Sequence, residues 1–232
     1  MSGAAPGTTS QHAVEALRRA LVTGSLKPGD RVRQEEIAES LGVSIGPVRE
    51  ALATLEQEGQ LTYLPRRGYW VTELDVGDLQ EIYELRALLE SRAARRAMPL
   101  LDEDAMQRID LAARACLDAA AAGDVAAELV ANRRFHLAIL ESPDQNHTLR
   151  VIRLLWDSTE TYRALYYNSA EGRQEASEAH ERILTALHAR DVELLVAELD
   201  AHRGAALKRL ARVLAGSEEA ARFKGRLARV GS

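Results

Sequence analysis

Apolar positions along the chain follow two regimes. Up to residue 71, short helical stripes give way to short extended runs. From residue 78 onward the spacing is helical to the end. Val14, Leu17 and Leu21 stripe a first helix over 10–23, which Gly24 and the turn Lys27-Pro28-Gly29-Asp30 end. A short helix over 34–41 leads through a tight turn at Leu41-Gly42-Val43 into another over 45–59. There Val48, Leu52 and Leu55 recur at i, i+4 and i+7 and bury one face, leaving Gly46, Arg49 and Ala53 on the other. Ser44 suits the N-cap, Pro47 sits in the first turn where a missing N–H costs nothing, and Gly59 tolerates the positive φ of a helix end. Strands over 61–64 and 68–71 follow, joined by Pro65-Arg66-Arg67-Gly68. Three helices and a hairpin predict a winged helix-turn-helix over residues 1–74.

A linker over 72–77 leads into an all-helical half. Helices are expected over 78–98, 102–122, 125–141, 145–168, 171–189 and 191–215, with residues beyond 217 a frayed helix or tail. Leu79, Ile82, Leu85, Leu89 and Ala93 mark the inward face of the first of these. Pro99, Gly123-Asp124 and Ser142-Pro143 punctuate the boundaries. Short connections between long helices make neighbours antiparallel. The fold class is therefore mainly α, with the winged helix-turn-helix followed by an antiparallel bundle of six or seven helices over 75–232.

Composition narrows the picture. The 232 residues hold 46% hydrophobic residues against 4% aromatics, which favours an Ala/Leu-rich helical protein over a β-sandwich. No apolar run approaches the length of a membrane span, and Met1 to Ser10 lacks the charged-then-apolar order of a secretory signal, reading instead as a disordered arm. The single Cys116 fits a reducing cytoplasm and a small buried helix position. Net charge is −5, and residues 1–74 carry eight Lys/Arg against nine Asp/Glu, so the first half is not globally basic. The distribution matters more. Arg31, Arg33, Arg49, Arg66 and Arg67 gather around the helix-turn-helix and wing, and acidic residues elsewhere limit non-specific binding. A narrow helix showing small residues and Arg49 suits a DNA major groove, and the Arg-Arg-Gly turn suits phosphates.

Candidate chemistry lies in the second half. Asn132 and His136 are four apart and share a helix face. His180 and His202 flank the turn near Arg190 at roughly 15 and 18 Å along two helices, nearly level across an antiparallel pair. Three imidazoles and an amide oxygen that converge would make a divalent metal site suited to zinc or nickel; otherwise they are unrelated, separately bonded residues. His12, His147 and His188 share none of this geometry. Arg86, four before Glu90, is either a helix ion pair worth a few tenths of a kcal/mol or an inward arginine for an effector carboxylate. Tyr162, Arg163, Tyr166 and Tyr167 would line the same cavity or form a packed aromatic seam. Gly42-Val43-Ser44-Ile45-Gly46 matches G-x-S-x-G, but a helix precedes it and no βαβ pattern surrounds it, so it is no nucleophile elbow. With no P-loop, G-x-G-x-x-G or HExxH, the chain reads as a non-enzyme.

Leu26-Lys27-Pro28-Gly29, Glu36 to Ser44, Pro47-Val48-Arg49-Glu50-Ala51-Leu52 and Leu55 to Gly59 together resemble the GntR family of bacterial transcription regulators, FadR subfamily. Asp78-Leu79, Tyr83, Leu85-Arg86 and Leu89-Glu90 resemble the opening of that subfamily's FCD effector domain, and Phe135-His136, His180 and His202 match its metal positions. The resemblance implies a cytoplasmic homodimer on double-stranded operator DNA, most simply a repressor, whose helical domain binds a small carboxylate on a metal. It places DNA contacts at Arg33, Ser44, Ile45, Gly46, Pro47, Arg49, Arg66, Arg67 and Gly68, metal ligands at Asn132, His136, His180 and His202, and effector contacts at Arg86, Tyr162, Arg163 and Tyr166. Two positions depart from the family. Ile45 stands where an operator-contacting arginine is usual, and Asn132 where an aspartate is. A metal-dependent enzyme built on the histidines, or an interaction protein that has lost specific DNA binding, are the competing readings.

Overall fold

A computed structural model describes residues 8–167 and 169–230, with only the backbone of 165–167 and 217–230. Of the arm expected over 1–10, residues 1–7 lie outside the described residues, and Thr8 to Ser10 instead cap and open the first helix. The Tyr166 and Tyr167 side chains also lie outside the described residues. Two compact units divide the chain. The first comprises residues up to Glu73 with Trp156–Thr161, and the second comprises the remainder from Leu74.

In the first unit, helix α1 (Thr9–Val22) opens with a reciprocal capping box between Thr8 and Gln11. Strand β1 (Arg31–Val32), α2 (Gln34–Leu41), α3 (Ile45–Gln57), β2 (Leu61–Leu64) and β3 (Gly68–Val71) follow. Gly42 takes a left-handed φ of 66° and closes α2, which lets the chain turn directly into α3. The three strands pair antiparallel in the order β1-β3-β2. Strand β1 was not expected; its two residues carry no pattern of their own and are fixed by pairing Arg31 with Trp70 and Val32 with Tyr69. The core joins Leu17 and Leu21 of α1, Val48, Leu52 and Leu55 of α3, and Leu61, Val32 and Val71 of the sheet. Each such side chain contributes about 1.5–3 kcal/mol on burial. That packing fixes α3 with Ser44, Ile45, Gly46 and Arg49 in solvent.

Seven α-helices follow β3 among the described residues, all in the second unit apart from Trp156–Thr161 at the α7–α8 junction: α4 (Val76–Ala97), α5 (Glu103–Ala122), α6 (Val125–Leu140), α7 (Asn146–Ser158), α8 (Glu160–Tyr167), α9 (Ala170–His188) and α10 (Val192–Val230). Helix α4 packs on α6 and α10, α5 on α6 and α9, and α9 on α10. Asp75, Asp102, Asp124 and Ser169 cap α4, α5, α6 and α9 through their side-chain oxygens. Two expectations need correction. The helix expected over 145–168 breaks at Thr159, whose N–H and hydroxyl both turn back to the Trp156 carbonyl, a side-chain bond that competes with the helical ladder. The buried stripe of α4 is not the one expected. Leu79, Tyr83, Arg86, Glu90, Ala93 and Ala97 face inward, while Leu85 is exposed.

Candidate functional site

The first unit shows solvent a basic surface built on α3 and the wing. Ser44 holds the N-cap backbone position of α3, but its hydroxyl makes no capping bond, so the first-turn N–H groups remain available to an anion. Ile45, Gly46 and Arg49 are exposed beside it. Arg66 takes a φ of 65°, uncommon for a side-chain-bearing residue, and with Gly68 at 84° it makes the sharp wing turn. Arg67 lays its guanidinium 5.0 Å from the centroid of the Trp70 ring. Arg33 pairs with Glu36 at 2.7 Å on the surface. Arg49 and Arg66 have no ion pair among the described residues.

In the second unit, His136 on α6, His180 on α9 and His202 on α10 come together. Their ring centroids are 5.2, 5.0 and 5.1 Å apart, and one nitrogen from each lies within 4.8 Å of the others. All three are buried, as is Asn132 one turn before His136. Burial and the neighbouring histidines hold His136 well below its ordinary pKa, and burial with Arg163 lowers His180 to about 3. Burial and His180 lower His202 likewise. The rings are therefore neutral, with nitrogen lone pairs available, and His180 Nε2 has no hydrogen-bond partner among the described residues. Neutral imidazoles converging in a dry interior fit a borderline divalent ion. The other histidines, His12, His147 and His188, are exposed.

Positive charge surrounds the triad. Arg86 and Arg163, both buried, act on His136 and His202. The few-tenths estimate for the Arg86–Glu90 pair was wrong because the pair is not on the surface. Arg86 Nε donates to Glu90 at 2.8 Å, and Arg203 of α10 donates to the other Glu90 oxygen at 2.7 Å. Arg203 continues to Asp200 and, at 3.2 Å, to Ser91. The Arg86 guanidinium also lies 4.8 Å from the Tyr83 ring centroid. Arg203 was missed, although it adjoins His202 in sequence. Tyr162 accepts the Leu74 N–H at 2.7 Å, so its hydroxyl helps hold the start of this unit. Cys116 is buried as expected, its thiol pushed up to about 12 by that burial and by Glu128.

Comparison with known proteins decides the family. The model for bacterial regulatory proteins of the gntR family matches residues 9–71, and the FCD domain model matches residues 81–205. The chain belongs to the GntR family. Escherichia coli McbR, an HTH-type transcriptional regulator, is 32% identical over 76% of this chain and 81% of its own. Its solved structure superposes with a TM-score of 0.77 at 28% identity, covering 89% of this chain and 98% of McbR. The E. coli repressor GlaR is 24% identical over 79% of this chain and 87% of its own. This GntR-family chain is thus a DNA-binding transcription regulator with an FCD domain and not an enzyme, which sets aside the metal-dependent enzyme. No helix among the described residues is long and apolar enough to cross a membrane.

Proposed function

We propose that this GntR-family regulator is a ligand-responsive repressor, working as a homodimer on a two-fold operator and sensing a small carboxylate through a divalent ion in its FCD domain. The observation that carries the proposal is the buried triangle of His136, His180 and His202. These residues would hold the ion, zinc or nickel by ligand type, with Asn132 as a weaker neutral fourth donor. A bound ion would supply a Lewis-acidic anchor for the carboxylate. Arg86 and Arg163 favour an anion over a neutral ligand, since both put positive charge on a low-dielectric site. Repression is supported by the name of GlaR. On the DNA side, α3 enters a major groove with Arg49 on base edges or phosphate, the first turn near Ser44, Gly46 and Pro47 close to the backbone, and Arg66, Arg67 and Gly68 on the wing. Ligand coupling of about 1–3 kcal/mol would change operator affinity several-fold to about a hundredfold.

Metal analysis of protein purified without chelators tests the centre. About one ion per chain is expected by analogy with single-site metal centres, absent from His180→Ala that keeps its helical far-UV signal. No uptake by the unaltered chain after addition of zinc or nickel would refute the centre. Gel shifts with and without small mono- and dicarboxylates then test sensing.

A further inference from the structure

A cleft of about 510 Å³ opens between α3 and the wing. Four arginines, Arg31, Arg33, Arg49 and Arg66, line it against one carboxylate, Glu35, together with the pair Tyr63 and Tyr69. The Tyr69 ring packs partly against the core, and Tyr63 is not needed by it. Cross-strand partners on β2 and β3, they share a sheet face with buried Leu61 and Val71 but lie nearer the hairpin turn. There the face reaches the edge of the core, and Tyr63 is 48% exposed. Their rings pack at 5.0 Å and 54°, an arrangement that fixes both. Neither hydroxyl makes a hydrogen bond among the described residues. Tyr69 also senses the charges of Arg49 and Glu56 on α3, so the aromatic pair sits beside the arginine of the recognition helix. Burial and Glu56 raise the Tyr69 pKa, which keeps its hydroxyl a donor.

We propose that this cleft seats the sugar–phosphate backbone of one DNA strand, with Arg49 and Arg66 neutralising phosphates and the hydroxyls of Tyr63 and Tyr69 donating to phosphate oxygens. Tyr63 and Tyr69 are then binding residues that the helix-turn-helix pattern does not disclose. The seat rests on the DNA-binding role of the unit and adds a class of contact to it, neutral and sequence-independent. Such contacts hold register without reading bases, which is what a recognition helix with Ile45 in place of an arginine requires.

Neutral and charged contacts leave different salt signatures. Each neutralised phosphate adds about 0.9 to the slope of log affinity against log salt, whereas a tyrosine hydroxyl adds nothing. The experiment is fluorescence anisotropy on a mixed-sequence duplex across about 50–200 mM salt, with full-length protein. Arg66→Gln should lower the slope by about one. The double variant Tyr63→Phe/Tyr69→Phe, which keeps both rings and hence the fold, should bind about three- to tenfold more weakly at unchanged slope. Unaltered affinity in the double variant overturns the tyrosine contacts, and an unaltered slope in Arg66→Gln overturns the seat. If the unaltered chain fails to bind the duplex at the lowest salt, the seat falls together with the DNA-binding reading. If that chain binds and the variants match it, the seat alone falls.

Discussion

Glu90 lies between two buried guanidinium groups, and its replacement by glutamine gives the sharpest test of the electrostatics inside the FCD unit. The carboxylate is 1% exposed and accepts from Arg86 at 2.8 Å and Arg203 at 2.7 Å, each also nearly inaccessible. Glu90→Gln keeps the shape and removes the charge, so Arg86 faces a neutral amide in a low-dielectric interior and Arg203 keeps Asp200 as its carboxylate. Breaking a buried pair in this way costs roughly 3–5 kcal/mol. At about 2–4 °C per kcal/mol for a unit of this size, the melting temperature should fall by about 6–20 °C. Arg95→Ala supplies the control. It breaks a two-bonded pair with Glu193, but both groups are largely exposed and solvent already screens them, so no resolvable shift is expected. Differential scanning calorimetry of metal-free protein reads both variants. A Glu90→Gln shift no larger than that of Arg95→Ala would refute the account, because it would mean that the Arg86 guanidinium does not depend on the Glu90 charge.

Metal-free protein should lose stability as pH falls from 6.5 towards 3. Folded His180 titrates at about 3 and stays neutral, while the unfolded chain takes up the proton, at up to about 1.4 kcal/mol per pH unit. Urea titrations below pH 6.5 should show this slope reduced in His180→Asn, and a flat profile in the unaltered chain would contradict it. Arg49→Ala should abolish gel-shift binding to the operator at unchanged helical content; retained binding would remove α3 from the groove. Ile45→Arg should add about 1–3 kcal/mol of base discrimination, read as a wider gap between guanine-bearing and substituted sites, and no change would place residue 45 away from the bases.

Legibility followed the range of the forces involved. The bounds of α2, β2 and β3 agree with the periodicity because glycines at left-handed φ, Gly42, Gly59 and Gly68, mark them locally. The histidine triangle was legible because helix rise is constant, so residues counted either side of the Arg190 turn arrive level. Strand β1 was not legible, since two residues owe their conformation to a partner far along the chain. The break at Thr159 turns on one hydroxyl choosing a carbonyl. The inward face of α4 was misjudged for a physical reason: a hydrophobic period turns Arg86 and Glu90 outward, and only Arg203, more than a hundred residues later, makes them tolerable inside. The same blindness hid Tyr63 and Tyr69, which alternate correctly for a strand but sit at the edge of the core, Tyr69 partly packed on it and Tyr63 exposed.

That misjudged face is itself informative. A stripe of Leu79, Tyr83, Arg86, Glu90 and Ala93 buries two charges where apolar side chains of similar volume would commonly be as stable or more so, by about 1–4 kcal/mol. Three neutral histidines beside it forgo hydrophobic packing in the same way, and His180 leaves a nitrogen without a partner. Local rules broken together at one place, with good helix caps and an apolar core elsewhere, mark a site maintained for binding. The sign of the surrounding charge then narrows the ligand. Glu90 and Asp200 answer Arg86 and Arg203, but Arg163 acts on all three rings and Arg86 on two of them, so the field at the triad is positive before any ion is added. A divalent ion alone would increase that charge in a medium that screens it poorly; an anion arriving with it would relieve it. Metal and carboxylate are therefore expected to bind with positive coupling, each raising the affinity of the other by the same factor. Calorimetric titration of zinc with and without a saturating carboxylate measures that factor, and equal zinc affinities in the two titrations would refute the shared site.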